Sequence, residues 1–512
     1  MALSNQEFID WLDNPASIKC VLVITQANDG NGEVPIYLSN RNYISDNIGS
    51  ADIAPNIPFL PILSNSVEFT ESLPLNGTAS ISYGDLAINN TNGEYDAWID
   101  YVWLNRPIEI FIGDISAPVE DFTKIFSGLM ADIAFSDRNT INLHVRDILQ
   151  RLNTPITESV LGNYGTQGAS NVNKEAIKPL VFGEVHNITP LLIDSATLEY
   201  MVHNGTIESL IEVRDNGVPV PFVQGAGNAG TFTLLYPPAG TVTCSVQGDN
   251  KTVDEFGDTQ ISTYTNTVTK LIQRIITGFG KSAEAIVASE MNLTNLNAFN
   301  TAHQQAVGVY ISDRSNVLSI CQELAASIGA QFVATRLGKI ELLKLTSPTT
   351  GIFDIDDNVI LQKSLSISNK PEVVGSVKLG YCKNWTVQSG MVTGIPEEHK
   401  DMFALDYYIH TVTDGAINTT YKLSAMPEQI NTLLLTNVGN IVGIEATRRL
   451  NIFNKIRLVY TMECTPTAMT LKLGDMINLT HSRYGLSGTK FGQIVSITTN
   501  WDTGIVKLEV FV

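Results

Sequence analysis

Two glycine-containing segments have spacings that bind nucleotide phosphates in other proteins. Residues 225–230 (GAGNAG) match the GxGxxG pattern, in which a helix N-terminus receives a dinucleotide phosphate. Here the segment lies between strand-like runs and no helix follows it, so a flexible hairpin loop is the favoured interpretation. Gly280, Lys281 and Ser282 resemble the end of a phosphate-binding loop, but Ile275 stands where the first glycine is required. Neither segment is predicted to bind a nucleotide.

Acidic and metal-binding residue types also lack the spacing of a site. Residues 89–96 (NNTNGEYD) resemble a calcium loop without its closing glutamate and flanking helices, so a turn with Gly93 at positive φ is favoured. Asp354, Asp356 and Asp357 predict a solvated turn. The chain has no HxxxH, CxxC or GxSxG motif. We therefore predict no catalytic, cofactor-binding or metal-binding residue, no cofactor and no enzymatic activity, although paired carboxylates from distant positions stay open.

The composition predicts a folded, acidic protein of several domains. The chain has 512 residues, of which 44% are hydrophobic and 16% are charged, as in folded chains. At roughly 100–200 residues per domain this length corresponds to about three to four domains. With 32 basic and 52 acidic residues the net charge is −20, and no basic run is present. We expect no specific nucleic-acid binding, whereas an acidic wall would let DNA slide past without sticking.

The five cysteines and the N-terminal segment predict synthesis in a reducing cytoplasm. The cysteines are widely separated and odd in number, so buried free thiols are expected rather than disulfides. The first residues carry acid instead of a basic secretory signal. No apolar run approaches the roughly 20 residues of a membrane span, so no membrane span is expected.

Short alternating apolar runs dominate the chain, so the predicted fold is mainly β, α+β overall, and multidomain. A polar stretch at 152–177 marks a long connection. The predicted domains are a β-barrel-like domain at 1–152, a small β domain at 178–250, an αβ module at 251–362 and a second β-barrel-like domain at 365–512 with an irregular insertion at about 386–430.

Several local elements are also predicted. Asn216 and Gly217 stand between two apolar runs and predict a type I′ hairpin. Helical spacing predicts one helix over 268–276 and another over 317–328, the latter capped by Asp313 or Ser315.

Residues 126–147 resemble residues 491–510. Each begins with Phe and Gly, followed by an apolar strand, a polar turn and an alternating strand. Ile133 and Ile497 stand at the same distance from the glycine, and Ile141 and Ile505 follow at the same further distance. Two related β-barrels, one early and one at the C-terminus, explain this similarity. The alternative is chance, because β-meanders look alike.

At the level of longer segments, the chain resembles a known family. In order, the segments are ISYGDLAINNTNGEYDAW (81–98), IFSGLMADI (125–133), KPLVFGEVHNITPLLID (178–194), YMVHNGTIESLIEVRDNGVPV (200–220), TFTLLYPPAGTVTCSVQGD (231–249), VGVYISDRSNVLSICQELAASIGAQFVATRLGKIELLKL (307–345), SVKLGYCKNWTVQ (376–388) and LKLGDMINLTHSRYGLSGTKFGQIVSITTNWD (471–502). Their order is similar to that of tail-tip (baseplate) hub proteins of long-tailed bacteriophages and gene transfer agents.

The resemblance implies a structural virion protein at the tail tip. Such hubs are similar to the hub of contractile-tail baseplates and form homotrimers. Two barrel-like domains per chain build a pseudo-sixfold ring, which adapts the sixfold tail tube to a threefold tip and lines the DNA exit channel. The implied partners are the distal tail protein ring, the tape-measure protein and tail fibre or receptor-binding proteins.

Two features of this chain depart from some members of that family. Longer hubs carry C-terminal fibre domains, whereas this sequence stops directly after the barrel-like ending, which implies a separate receptor-binding protein. Some tip proteins hold an iron–sulfur cluster on clustered cysteines, which this chain lacks. The alternative functions are a receptor- or carbohydrate-binding tail protein, with 16 Tyr and 5 Trp as stacking surfaces, and a cell-wall hydrolase.

Overall fold

The structure is a computed structural model. It describes residues 5–14, 16–50, 53–64, 68–75, 83–162, 174–254, 256–257, 259–261, 264–389, 391, 394–424, 426–501 and 503–512.

Among the described residues 41% lie in strands and 20% in helices, so the fold is mainly β. The strands are β1 Lys19–Asn28, β2 Glu33–Ser39, β3 Tyr43–Ile44, β4 Pro58–Phe59, β5 Glu68–Ser72, β6 Tyr83–Asn89, β7 Pro107–Asp114, β8 Thr123–Asp137, β9 Thr140–Arg146, β10 Leu180–Ile188, β11 Leu191–Asp194, β12 Glu199–Asp215, β13 Val218–Pro219, β14 Phe222–Gln224, β15 Ala229–Leu234, β16 Val242–Asp249, β17 Lys251–Val253, β18 Thr259–Ile261, β19 Gly308–Ile311, β20 Ala330–Ala334, β21 Ile340–Lys344, β22 Phe353–Ile355, β23 Ser366–Asn369, β24 Ser376–Tyr381, β25 Tyr408–Thr413, β26 Gln429–Asn431, β27 Val459–Cys464, β28 Met476–Leu479, β29 Lys490–Asn500 and β30 Val506–Phe511.

The helices are few and short. The α-helices are α1 Asn5–Asp13, α2 Val268–Gly278, α3 Leu293–Ala302, α4 Val317–Ser327, α5 Glu397–Ala404, α6 Gly415–Tyr421 and α7 Ile441–Phe453. Short 3-10 helices include Asp96–Asp100 and Pro466–Thr470. Within the ranges that the structure describes, no helix combines the length and the apolar character needed to cross a bilayer.

The chain is divided between two compact units, and each unit is discontinuous in sequence. The first unit contains Met1–Arg151, Val333–Glu372 and Ile456–Val512, and the second contains Leu152–Phe332 and Val373–Lys455. The four domains predicted from the sequence stay a prediction beside this division.

One large sheet forms the centre of the first unit. Its strands follow the order β2-β1-β7-β8-β9-β6-β5-β29-β30-β27-β23, and β28 joins β29 to β22 on a branch. The path has two ends, at β2 and β23, so among the described strands this sheet is open rather than a closed barrel. Apolar residues at alternate positions meet in a core that includes Met130, Leu143 and Leu508, while Leu22 of β1 and Phe111 of β7 belong to a second buried cluster.

The second unit combines a β-sheet with packed helices. Its main sheet has the order β14-β15-β12-β16-β10-β19, with β11 and β13 paired to β12. In α2 the apolar residues predicted from helical spacing are buried, and Arg274 of the same helix forms a 2.8 Å ion pair with the buried Asp249. A second small sheet, β25-β24-β26, lies in the part of this unit that follows β23 in the chain.

Several predicted local elements are confirmed. Asn216 and Gly217 both have positive φ, 47° and 85°, and connect Asp215 to its partner Val218 in a tight hairpin. Residues 225–228 form the connection between β14 and β15, as expected of a hairpin loop, while Ala229 and Gly230 begin β15. Gly93 has φ of 71° in a turn. The two predicted helices are α2 and α4.

Two local predictions are wrong. The cap of α4 is Asn316, whose side chain accepts a hydrogen bond from the backbone N–H of Leu318, because the helix begins later than the favoured cap residues imply. Asp354 lies on strand β22 and not in a turn, since Phe353 and Ile355 pair with β28 in parallel. The side-chain oxygen Oδ1 of Asp354 accepts a 2.7 Å hydrogen bond from Nδ2 of Asn478.

Candidate functional site

The two hairpins whose sequences resemble each other have the same strand pairing. In β8–β9 and β29–β30, the residues that follow the shared glycine, Gly128 or Gly492, face equivalent partners. In the first hairpin the facing pairs are Met130–Val145, Asp132–His144, Ile133–Leu143, Ala134–Asn142 and Phe135–Ile141. In the second hairpin the equivalent pairs, in the same order, are Ile494–Val510, Ser496–Glu509, Ile497–Leu508, Thr498–Lys507 and Thr499–Val506.

Both hairpins also contain a β-bulge at the same step. The register shifts between Met130 and Asp132 in the first hairpin and between Ile494 and Ser496 in the second. A bulge places one extra residue on one strand and turns the following side chains, so it is a positional feature of the backbone. Its recurrence at the same distance from the glycine supports duplication over chance.

The structure corrects the sequence alignment of the second strand. Ile141 faces Phe135, and the residue that faces the equivalent Thr499 is Val506 rather than Ile505. The connection of the second hairpin is one residue longer, which the sequence comparison did not allow for. Ile141 and Val506 are both fully buried, as equivalent core positions should be.

The similarity extends to the neighbouring strands, which defines two repeats. Repeat 1 consists of β5–β9, and repeat 2 consists of β23 and β27–β30. In both, the spatial order is the same, β7-β8-β9-β6-β5 against β28-β29-β30-β27-β23, and all these neighbours are antiparallel. The glycines occupy the same place again, since Gly128 faces Ile108 and Gly492 faces Ile477.

The repeats are joined edge to edge within the chain. We use the name seam for the pairing of Ser496–Asn500 in β29 with β5, in which Ile497 faces Glu71 and Thr499 faces Phe69. The hydroxyl oxygens of Thr70 and Thr498 lie 2.9 Å apart across it. Ile497 is 1% exposed and Thr499 is 3% exposed, so the seam is part of the packed interior.

A buried ion pair lies at the seam. Oε1 of Glu71 accepts a 2.8 Å hydrogen bond from the backbone N–H of Arg336, and the guanidinium of Arg336 lies 3.9 Å from Oε2. Burial raises the pKa of the Glu71 carboxyl, and the charge of Arg336 opposes this rise. The raised pKa means that the cost of burying the Glu71 carboxylate outweighs its attraction to the Arg336 guanidinium.

Arg336 connects both repeats through this pair. Its backbone carbonyl accepts a 2.8 Å hydrogen bond from the N–H of Ser127 in repeat 1, while its guanidinium donates to the carbonyl of Met469 at 3.3 Å and lies 5.6 Å from the centre of a Trp501 ring. These contacts fix the loop that follows β20 against the seam. No sequence pattern indicated this pair, because its members are 265 positions apart.

One face of the joined repeats is polar and acid-rich; we use the name outer face for it. The apolar side chains point to the core, and the alternate positions are half-buried or exposed except for the paired Val459 and Phe511, which are buried at one end of this face. His144 Nδ1 and Asp85 Oδ1 lie 2.6 Å apart on this face. Carboxylates outnumber basic groups among its side chains, which are Asp85, Asp132, Asn142, His144, Arg146, Thr461, Glu463, Ser496, Thr498, Lys507 and Glu509.

The acidic, histidine and cysteine side chains of the described residues form no cluster with the composition of a metal site. Over the ranges that the structure describes, no group of three or more His, Cys, Asp or Glu side chains could hold a metal ion. All five cysteines are free, and four of them are buried, which confirms the expected thiols. Gly280 lies in the loop after α2, and its N–H donates to the carbonyl of Ile156. The absence of a catalytic, cofactor or metal site stays a prediction.

Comparison with known proteins gives only distant similarities. No protein-family model and no curated protein sequence matches the chain. Among solved structures, it is similar to the 43 kDa tail protein of prophage MuSo2 from Shewanella oneidensis, with a TM-score of 0.37, 11% identity and 96% of each chain covered. It is also similar to the tail protein from Neisseria meningitidis MC58, with a TM-score of 0.38, 8% identity and 96% of each chain covered.

A third similar structure belongs to the virion of a native gene transfer agent particle. Its TM-score is 0.42 at 12% identity, and the match covers 71% of this chain and 91% of the other. At these TM-scores the likeness defines neither the fold nor the function of this chain.

Proposed function

We propose that this chain is the structural hub of a bacteriophage tail tip or baseplate. Three copies would form a ring of six repeats, which adapts the sixfold tail tube to a threefold tip. The observation that carries the proposal is the pair of repeats joined at the seam, because a chain with two equivalent repeats needs three copies to present six. The order of family-like segments along the sequence supports the same function.

The outer face suits the wall of a channel for DNA. Phosphates repel carboxylates, and a wall on which acidic groups outnumber basic groups would not hold passing DNA. The net charge of −20 agrees with this role. We therefore place the outer face, with Asp85, Asp132, Glu463 and Glu509, towards the lumen of the ring.

The proposed location is the virion tail tip, after assembly in the host cytoplasm. The proposed partners are the distal tail protein ring, the tape-measure protein and fibre or receptor-binding proteins. In this proposal repeat 1 and repeat 2 are the centres of the two barrel-like domains, 1–152 and 365–512, while 178–250 and 251–362 are a small β domain and an αβ module. The chain itself has no enzymatic activity.

The test is the native mass of the purified protein by light scattering, followed by negative-stain imaging. The expected result is a species of three times 55.8 kDa with a ring outline and an axial hole. A monomer that binds host cells or glycans would contradict the hub and favour a receptor-binding tail protein. Release of fragments from peptidoglycan by the purified chain would contradict it in favour of a hydrolase.

A further inference from the structure

The central strand of repeat 1 has an uncovered edge where the equivalent strand of repeat 2 is covered. On the side away from β30, β29 pairs first with β28 and then, through Ser496–Asn500, with β5. On the side away from β9, β8 pairs with β7 up to Leu129, and Met130 exchanges hydrogen bonds with Asn105 and Arg106. Beyond that point, residues 132–136 have no strand partner on this side among the described residues.

The burial of equivalent residues reflects this difference. Ile497 and Thr499 are buried at the seam, whereas Ile133 and Phe135 are only partly buried at the edge of β8. Unpaired N–H and C=O groups on a strand edge pair readily with another strand unless charge, proline or a covering element prevents it. The stretch 133–136 (IAFS) contains neither charge nor proline, and the one charge of the segment is Asp132 at its start, whose Oδ1 accepts a 2.8 Å hydrogen bond from the N–H of Ile133.

The second uncovered edge belongs to β23 of repeat 2. β23 is the equivalent of β5, because they pair antiparallel with the equivalent strands β27 and β6. β5 uses its other edge for the seam, while β23 is the end of the sheet among the described strands. All four residues of β23 are exposed, and Ile367 is 41% exposed.

The registers define which residues of these two edges correspond to the seam. Phe69 faces Gly84 and Ile367 faces Tyr460, and these partners are themselves equivalent, so Ile367 is the counterpart of Phe69. Thr70 corresponds in the same way to Asn369. At the seam Thr499 faces Phe69 and Thr498 faces Thr70. Phe135 and Ala134 are the equivalents of Thr499 and Thr498, so a junction with the register of the seam would pair Phe135 with Ile367 and Ala134 with Asn369.

We propose that residues 132–136 of β8 in one copy of this chain pair antiparallel with β23, Ser366–Asn369, of a second copy. Within the chain the same junction joins β29 to β5, so each copy carries one complementary pair of free edges. An aromatic side chain opposite a β-branched one, Phe135 opposite Ile367, is a favourable cross-strand pair. This inference rests on the proposed hub and names the interface between its copies.

The junction is head to tail, which determines the kind of assembly. A contact between two different surfaces of identical copies forms a closed ring when the rotations from each copy to the next add up to a full turn. Otherwise it forms an open filament. Because the interface repeats the geometry of the seam, every junction around the ring is equivalent or nearly so. The sheets of all copies then form one continuous wall.

Cross-linking of the full-length chain tests the pairing. Ala134→Cys combined with Asn369→Cys puts thiols at the positions equivalent to Thr498 and Thr70, whose hydroxyls touch at the seam. Directly opposite Cβ atoms lie about 4.5–5.5 Å apart, close to the separation of a disulfide. The matched control, Asn142→Cys with Asn369→Cys, uses the same face but stands one strand away from the edge. The wild-type chain and both single variants control for the native thiols.

The expected result is covalent dimer and trimer after mild oxidation of the first variant, with at most traces from the controls. A trimer by light scattering without the cross-link would overturn the edge pairing while the hub stands. Cross-linked species beyond the trimer would support the edge pairing and contradict the threefold ring. A monomer without cross-links contradicts both.

A second pair of variants tests the same edges without new thiols. Phe135→Lys and Ile367→Lys each place a charge at the proposed junction and should lower the assembled fraction at least about tenfold, since lysine protects edges from pairing. Asn142→Lys adds the same charge to the outer face and should leave the mass unchanged. Unaltered assembly of both edge variants overturns the proposal, and circular dichroism of each variant confirms that it is folded.

Discussion

Repeat 1 and repeat 2 share their strand order, their registers and their bulge, but they differ in what covers the edge of the long central strand. In repeat 2 the seam covers β29, and Ile497 is 1% exposed. In repeat 1 the equivalent Ile133 is partly exposed, because no strand of the described chain covers that edge of β8. Similar local folding therefore leaves one repeat complete and the other with an edge available for pairing.

The comparison also shows which residues preserve the fold after duplication. Core positions keep their apolar character in both repeats, as in Leu143 and Leu508 or Val145 and Val510. Outer-face positions differ freely, for example His144 against Glu509. Packing and bulge position define the repeat, because a one-residue slip would move every core side chain to the outer face.

The largest effect is expected at the equivalent core leucines. Leu143→Ala and Leu508→Ala both empty fully buried positions, and each should lower the free energy of unfolding by about 2–5 kcal/mol. Denaturant unfolding followed by tryptophan fluorescence measures this, because Trp11, Trp98, Trp103 and Trp501 all lie in the first unit. Asn142→Ala and Lys507→Ala are controls on the outer face and should cost less than about 0.5 kcal/mol. A large loss for one leucine and almost none for the other would break the equivalence of the repeats.

A smaller and unequal effect is expected at the two equivalent isoleucines. Ile497→Ala removes a buried side chain at the seam and should cost about 2–4 kcal/mol, whereas Ile133→Ala at the open edge should cost less than about 1.5 kcal/mol in the monomer. Unfolding of dilute, monomeric protein measures the difference. In the assembled protein the two costs should become similar, because the proposed neighbour would cover Ile133. Equal costs in the monomer would contradict the contrast between the two edges.

The equivalent glycines should tolerate alanine to different degrees. A Cβ on Gly128 would lie 2.3 Å from the backbone carbonyl oxygen of Arg146, while a Cβ on Gly492 would lie 2.3 Å from the side-chain Cγ1 of Val510. A side chain can move more easily than a paired strand, so Gly128→Ala should cost about 2 kcal/mol and Gly492→Ala about 1 kcal/mol. Thermal unfolding ranks the two variants. Val510→Ala should relieve the second clash only, and the reverse order of stabilities would rule out this explanation.

The smallest effect concerns Glu71 and its pH dependence. Because the pKa of Glu71 is raised in the folded chain above its usual value of 4.5, unfolding releases a proton above pH 4.5. The stabilisation by this group is therefore complete below pH 4.5 and is lost as the pH rises through the raised pKa. Glu71→Gln removes this dependence and keeps an acceptor for the Arg336 N–H, so stability at pH 7 should change by less than about 1 kcal/mol.

The measurement is the free energy of unfolding of wild type and variant between pH 4 and pH 8. The difference between them should be constant below pH 4.5 and change above it. Glu68→Gln, on an exposed position of the same strand, is the matched control for the removal of one carboxylate from β5. A wild-type profile that matches that of Glu71→Gln would show that Glu71 titrates normally.

The sequence predicted those features that depend on nearby residues. Alternation identified the hairpins of both repeats, and Asn216 with Gly217 identified a tight turn because positive φ has a strong residue preference. The sequence aligns Ile505 with Ile141, whereas the structure aligns Val506 with it. The periodicity of the two strands does not report the length of the loop between them, so this one-residue difference could not be predicted. Asp354 was assigned to a turn because its strand pairs in parallel with residues more than a hundred positions away.

The seam and its ion pair could not be predicted from local patterns. β5 and β29 pair across most of the chain, and Glu71 and Arg336 are 265 positions apart. The equivalence of β23 with β5 was also hidden, since Val373–Lys455, which belongs to the second unit, separates β23 from β27. Periodicity indicates that a strand exists, but the partner of its edge depends on the arrangement of the complete chain.

The seam has a consequence for synthesis on the ribosome. Thr70 and Thr498 are 428 positions apart, and at about 5–20 residues per second the ribosome needs about 20–85 s to travel between them. For most of that interval β5 is outside the exit tunnel while its partner strand does not yet exist. The nascent chain thus exposes an unsatisfied strand edge for many seconds, and crowded polysomes would favour its pairing with the same strand of a neighbouring nascent chain. A lower density of nascent chains, or chaperone binding to the first hundred and fifty residues, would therefore raise the yield of native protein.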